Sequence, residues 1–338
     1  MRPTARGRVA ARSVPLAVLA VLTALAGWLL APEAAATAGT DGKSQAWSVQ
    51  PTDKGSGGAR RLVFQLDAPP GAVIRDSVRV SNLSSEPISF QVYGADAYNT
   101  PRDGGLAYRQ AGEAQRAIGA WVKLRTNALV IPARRAADIP FTVTVPRDAT
   151  PGTHTGGVIA LDNALRGAGT TDSGVDVSIQ RAIAVRLELT VSGPLTPGLS
   201  VSGVRLDQTS GDTPFEAGRA TVHYTVTNTG NTPVQGKAAI AVTGLFGRTV
   251  ATRTRSLPLI LPGQHTELTL DTGRSPPVDL LTAKVTVSAT GTPDTTARVN
   301  RLALSWPTLG AVAVAAALVV AGLSQLRRRR RTLALEHV

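Results

Sequence analysis

The chain has 338 residues, which bounds it at about two ordinary domains plus extra segments; it has no cysteine, and only 4% of its residues are aromatic. Disulfides, thiolate metal sites, redox motifs and a cysteine nucleophile are therefore excluded, and the fold must close by aliphatic packing, which domains of about 100 to 150 residues achieve unaided. The formal charge is +13, but the two ends hold nine arginines and two glutamates, so residues 37–301 carry +6 from 27 basic and 21 acidic side chains. Nucleic acid is not an expected partner on that balance, whereas scattered arginines suit an anionic wall polymer or simply a solvated face.

In chain order, Arg2, Arg6, Arg8 and Arg12 precede the uncharged run SVPLAVLAVLTALAGWLLAP, and Ala34, Ala35, Ala36 and Ala38 follow at Ala-x-Ala spacing. This pattern predicts a secretory signal peptide over 1–38, cleaved near Ala36 or Ala38, with an uncleaved anchor as the other reading. Residues 39–60, polar and glycine-rich, predict a flexible lead-in. A first β-domain is expected over 61–192, with strand candidates LVFQL, AVIRDSVRVSN, ISFQVYGADA, WVKLR, ALVIP, DIPFTVTVP, TGGVIALD and VDVSIQRAIAVRLELTV. Within it, Val78 and Val80 alternate with Arg79 and Ser81, Asn82 to Pro87 supply turn chemistry, and Ile88, Phe90 and Val92 resume the apolar face, which reads as a half-buried hairpin. The segment from Arg166 to Gly174 reads as a loop.

SGPLTPG, residues 192–198, marks the domain boundary, and a second β-domain is expected over 196–300. ATVHYTVTNTGNTPVQGKAAIAV repeats the pattern of the first hairpin, which points to two related domains. Many short strands ended by turn residues predict an all-β chain of two immunoglobulin-like β-sandwiches in tandem, between the signal peptide and one C-terminal transmembrane helix. That helix is expected over 302–326, which carry no charge, and the basic cytoplasmic tail over 327–338. About 20 such residues cross the roughly 30 Å hydrocarbon core. Arg327, Arg328, Arg329, Arg330 and Arg331 beside the helix argue against a buried soluble helix; they hold the tail in the cytoplasm and place the bulk of the chain outside the cell membrane.

The stretch PGAVIRDSVRVSNLSSEPISFQVYGADAYNT, then GGL, WVKL and VIPARRAADIPFTVTVPRDATPGTHTGGVIA, resembles the N-terminal domain of the WxL-interacting protein family of Gram-positive surfaces. The resemblance covers most of Leu62 to Val191 and is strongest at Gly71–Asn99 and Ala136–Gly157. It implies an immunoglobulin-like peptidoglycan-binding domain, a second β-domain that meets a partner or host, and a membrane helix with a short basic tail. The second domain matches more loosely, through YTVTNTGNTPV, GLFGRT and LILPGQHTELTL. The Ala- and Arg-rich composition departs from the family's AT-rich sources and suggests a high-GC actinobacterial one.

No residue pattern calls for catalysis, a metal or another cofactor. The histidines 154, 223, 265 and 337 form no His-Glu-x-x-His pair, no Gly-x-Ser-x-Gly or Ser-x-x-Lys motif occurs, and GNTPVQGK departs from a phosphate loop in spacing and in Ala238. Asp96, Tyr98 and Asn99, just after a strand, and His154, in TPGTHTGG, are the candidate glycan-binding residues; the alternative for each is a side chain that ties down its own turn. Trp121 reads as core. The function expected is that of a membrane-anchored surface protein that binds peptidoglycan or another wall polymer and scaffolds a surface protein complex. The alternative is an extracytoplasmic assembly or secretion helper that takes a partner by β-strand addition.

Overall fold

A computed structural model of the chain describes residues 46–52, 61–164, 166–170 and 176–335. The expected signal peptide and the last three residues of the tail lie outside the described residues.

The first sandwich comprises β1 (Trp47–Pro51), β2 (Phe64–Ala68), β3 (Val73–Asn82), β4 (Ile88–Asn99), β5 (Leu106–Tyr108), the single-turn helix α1 (Ile118–Trp121), β6 (Val122–Leu124), β7 (Ala128–Ile131), β8 (Ala136–Thr144), β9 (Gly152–Asp162), β10 (Arg166–Thr170), β11 (Asp176–Ile179) and β12 (Ala182–Val191). One sheet runs β1-β3-β8-β6 and the other β2-β12-β9-β4-β5, with β7 also on β4. The chain thus switches sheets between β1, antiparallel to β3, and β2, parallel to β12. Period-two alternation turns Val78, Val80, Phe141 and Val143 from one sheet toward Phe90, Val92, Val158 and Leu187 from the other, all buried. Phe64 and Phe141 meet edge to face at 5.0 Å, and Trp47 and Phe90 at 5.7 Å.

The second sandwich comprises β13 (Leu199–Thr209), β14 (Gly218–Asn228), β15 (Gly236–Thr243), β16 (Thr249–Ser256), β17 (His265–Ser275), β18 (Val278–Ala289) and β19 (Thr295–Leu304). Its sheets are β13-β14-β17 and β16-β15-β18-β19. Val222, Tyr224 and Val226 face Ile240, Val242, Leu281 and Val285 across a core with no disulfide. Burial of each large apolar side chain contributes about 1.5–3 kcal/mol. Both sandwiches have the immunoglobulin-like Greek-key arrangement, so the all-β expectation holds.

Helix α2 (Trp306–Leu335) follows β19 after Ser305 alone. Its segment Trp306–Arg327, 22 residues with a mean hydropathy of 2.1, is long and apolar enough to cross a membrane. Pro307 sits in its first turn, where no backbone donor is required.

Four expectations change. β3 and β4 are not a hairpin: they belong to opposite sheets, as do β14 and β15, so each turn is a corner that crosses the core. The lead-in contains β1, which pairs with β3 through all five of its residues. The segment expected as a loop from Arg166 holds β10, which pairs with β11 as a ribbon. Finally, strand β19 runs past residue 300 to Leu304, and the helix starts at Trp306 rather than at 302.

Candidate functional site

The residues singled out in the sequence go to structural work. Asp96 is 6% exposed, and its carboxylate accepts the backbone N–H groups of Arg116 (2.5 Å), Ala117 (3.0 Å) and Gly119 (2.7 Å), which closes the start of α1. Asn99, 3% exposed, donates to the carbonyls of Gly104 and Leu259 and accepts from the N–H of Leu261, each at 2.8 Å. Leu259 and Leu261 belong to the second sandwich, so Asn99 joins the two. Tyr98 is half-buried with the Arg109 guanidinium 5.9 Å from its ring centre. His154 lies on β9, where Nε2 bonds the Thr150 carbonyl at 2.9 Å and the ring packs, tilted by 55°, against Trp121 with the ring centres 4.7 Å apart. Trp121 itself is half-buried against the core. The polar atoms of Asp96 and Asn99 are thus committed to backbone groups, and these four side chains do not form an open polar site.

A different set does come together, on the outer face of sheet β2-β12-β9-β4-β5. Because Phe90 and Val92 point inward, Gln91 and Tyr93 point out; Ile159 and Leu161 of β9 and Ala182 and Ala184 of β12 share that face. Tyr108 of β5 leans over β9 at Gly157, where an added Cβ would lie 2.7 Å from its ring. At Gly156, whose Cβ would point to the opposite face, the space is taken by Ile118 of α1, 2.3 Å from the same construction, so Thr-Gly-Gly-Val makes room on both sides of β9. The small side chains of Ala182 and Ala184 leave a trough beside the two tyrosines, and Gln110 to Gly112 close its other side. That loop is anchored from below, where Gln115 Oε1 accepts the N–H of Asp96 at 2.7 Å.

The resulting groove holds about 560 Å³ and has no charged side chain in its lining; its polar groups are the amides of Gln91, Gln110 and Gln180 and the two phenols. Burial raises both phenol pKa values, with the nearby Glu113 adding to the effect at Tyr93. Both tyrosines are therefore neutral donors around pH 7. The groove offers aromatic faces for stacking and amides for hydrogen bonds.

At one border of the groove the sheet is incomplete. Strand β12 pairs with β9 along its whole length, whereas β2 pairs only with Leu187–Val191. Among the described residues no strand pairs with the outer side of Ala182–Arg186. Alternate N–H and C=O groups of those residues point away from β9, as in any antiparallel edge. The sequence signal for this site was the aromatic at a solvent-facing position of FQVYG; the open edge left none, because pairing depends on where β2 lands.

No family model matches the chain, and no curated protein matches it. Similar solved structures include the chaperone–tip adhesin complex of CFA/I fimbriae, at 12% identity over 77% of this chain and 99% of that one with a TM-score of 0.32. The chaperone–tip adhesion subunit pre-assembly complex of Csu pili from Acinetobacter baumannii matches at 11% identity over 75% and 97% with a TM-score of 0.36. The Salmonella enterica SafA pilin in complex with the SafB chaperone matches at 11% over 77% and 98% with a TM-score of 0.31. Likenesses of this size leave function to be argued from the chain's own geometry.

Proposed function

We propose that the chain is a membrane-anchored surface protein that takes an extended segment of a partner protein by strand addition to β12. The observation that carries this reading is the edge at Ala182–Arg186, which no strand among the described residues pairs, beside an uncharged groove. Main-chain hydrogen bonds along such an edge supply affinity, and a pocket beside it selects alternate side chains of the added strand. The groove's lining suits a strand with uncharged side chains on that face. Helix α2 with its arginine block holds the sandwiches on the outer side of the cell membrane.

A second reading rests on the lining itself. Two tyrosine faces with three glutamine amides are the chemistry that holds neutral sugars, and the resemblance of Leu62–Val191 to the WxL-interacting family implies peptidoglycan at this domain. The readings separate in one experiment on the full-length protein. A photo-crosslinking residue at Ala184 is expected to capture one surface protein in intact cells, and that protein, once purified, is expected to slow amide hydrogen exchange across Ala182–Arg186. No adduct, together with peptidoglycan co-sedimentation that survives high salt and is lost in Tyr108→Ala, moves the assignment to the glycan reading.

A further inference from the structure

The end of the second sandwich that meets α2 carries an apolar surface that no described residue covers. Phe246 is 98% exposed, Phe215 65% and Trp306 77%. Both phenylalanines sit at positive φ, 65° for Phe215 and 58° for Phe246, a conformation that favours glycine, so their backbones are held at a conformational cost while the rings face solvent. Strand register adds further apolar side chains at the same end of the sandwich. Val278 pairs with Leu304 and Leu280 with Leu302, and all four side chains are exposed on one sheet face. Asp279, between them, accepts the N–H of Leu245 at 2.8 Å, which sets the Phe246 turn against that strand. Thr308, in the first turn of α2, accepts the N–H of Phe215 on its Oγ1 at 3.0 Å, which ties the Phe215 loop to the helix.

Only Ser305 separates β19 from α2. At no more than about 3.6 Å per extended residue, Leu304 lies within about 7 Å of Trp306 and Leu302 within about 14 Å. The patch is thus continuous with the start of the segment that crosses the membrane, at the level where tryptophan anchors a helix in the headgroup region. The opposite end of the same sandwich is occupied by the first sandwich, through Leu259, Leu261 and Asn231.

We propose that Phe215, Phe246 and the Leu280/Leu302/Leu304 face form a bilayer-docking surface, seated in the headgroup region of the leaflet that α2 enters. The second sandwich then stands on the membrane as a base, and the first is carried outward with its groove and open edge away from the lipid. This inference rests on α2 spanning the membrane as proposed above.

The chain has no cysteine, so single cysteines report cleanly. Full-length Phe246→Cys, Ala114→Cys and Ala317→Cys, each carrying an environment-sensitive fluorophore, are reconstituted in phosphatidylcholine–phosphatidylglycerol vesicles with and without lipids bearing a spin-label quencher. The expected result is blue-shifted, strongly quenched emission at 246 and 317, with water-like, unquenched emission at 114 in the first sandwich. Quenching at 317 with water-like emission at 246 overturns the docking surface and leaves the anchor standing. Water-like emission at both overturns the anchor, and the docking surface with it. Phe246 is almost wholly exposed, so its replacement does not threaten folding.

Discussion

Asn82 and Asn228 occupy the same place in the two sandwiches, and each closes its corner with one buried amide. In the first, Nδ2 donates to Glu86 O at 2.8 Å and Ile131 O at 2.9 Å while Oδ1 accepts Ser84 N–H at 2.9 Å. In the second, Nδ2 donates to Thr232 O at 2.7 Å and Ile260 O at 2.8 Å while Oδ1 accepts Gly230 N–H at 2.9 Å. The offsets match residue for residue, down to Pro87 and Pro233, so the duplication read in the sequence extends to side-chain chemistry. Replacing either asparagine by alanine leaves buried carbonyls without donors and is expected to cost about 2–4 kcal/mol in denaturant unfolding. Asn163→Ala, which removes only an exposed bond to Ser89, is expected to fall within about 0.5 kcal/mol of wild type. Equal effects at all three positions would remove the corner's special role. The partner turns also correspond: Arg134 N–H donates to Ser84 O and Gly263 N–H to Asn228 O, at φ of 56° and 70°. Glycine adopts that region freely and arginine only at a cost, so Gly263→Ala is expected to destabilise by about 1 kcal/mol and Arg134→Gly to be neutral or stabilising by up to about 1 kcal/mol.

At the scale of elements, alternation located β3, β4, β8 and β14 well, because one face of each lies on a core. The same alternation could not tell a hairpin from a corner. Two strands that pair and two that face each other across a core bury the same residues, and the atoms that decide, such as Ile131 O beneath Asn82, lie 49 residues away. β1 was hidden in a polar lead-in because Trp47 and Pro51 are its only buried positions. Asp96 and Asn99 misled for a related reason: a polar residue after a strand has the same sequence whether it faces solvent or a backbone donor. Tyr93 could be placed on an outer face, but nothing in its neighbourhood announced Tyr108 or Gln180 across the sheet. Long-range pairing also makes one element sensitive to acid. Burial pushes the Asp279 carboxyl pKa up, yet the N–H groups of Leu245 and Leu280 and the Arg248 guanidinium outweigh it and hold the value below the usual carboxylate range. A depressed folded value means that its stabilisation is present above the unfolded pKa of about 3.9 and is lost as pH falls through the folded one. The Leu245–Gly247 turn is therefore expected to loosen below about pH 4, and the stability gap between wild type and Asp279→Asn to close over that range. A gap that persists unchanged at pH 2 would assign the difference to packing instead.

Across the whole molecule, the two sandwiches are joined by polar clamps as well as by the linker. Asn99 reaches Leu259 O and Leu261 N–H from one side, and Pro101 O accepts the N–H of Glu267 at 2.6 Å. From the other side, Asn231 donates to Pro151 O at 3.1 Å and Pro194 O at 2.8 Å and accepts Thr196 N–H at 2.7 Å, while its own carbonyl receives Thr153 N–H at 2.8 Å. Each side chain engages backbone that cannot move without its sandwich, so the orientation of β12 relative to the second sandwich is set here. Coupling of this kind is expected to make the sandwiches unfold together even though each has its own core. The tryptophans make the test direct: Trp47 and Trp121 lie in the first sandwich, none lies between 199 and 304, Trp306 belongs to the helix, and Trp28 falls in the expected signal peptide. With Trp28 and Trp306 replaced by phenylalanine, fluorescence of the protein in detergent follows the first sandwich, whereas far-UV circular dichroism follows both. In wild type the two transitions are expected to coincide. In Asn99→Ala/Asn231→Ala, with about 2–3 kcal/mol of coupling removed, the fluorescence and circular dichroism midpoints are expected to separate. Coincident transitions in the double variant would mean that the linker alone couples the sandwiches, and that the polar clamps do not set where the β12 edge points.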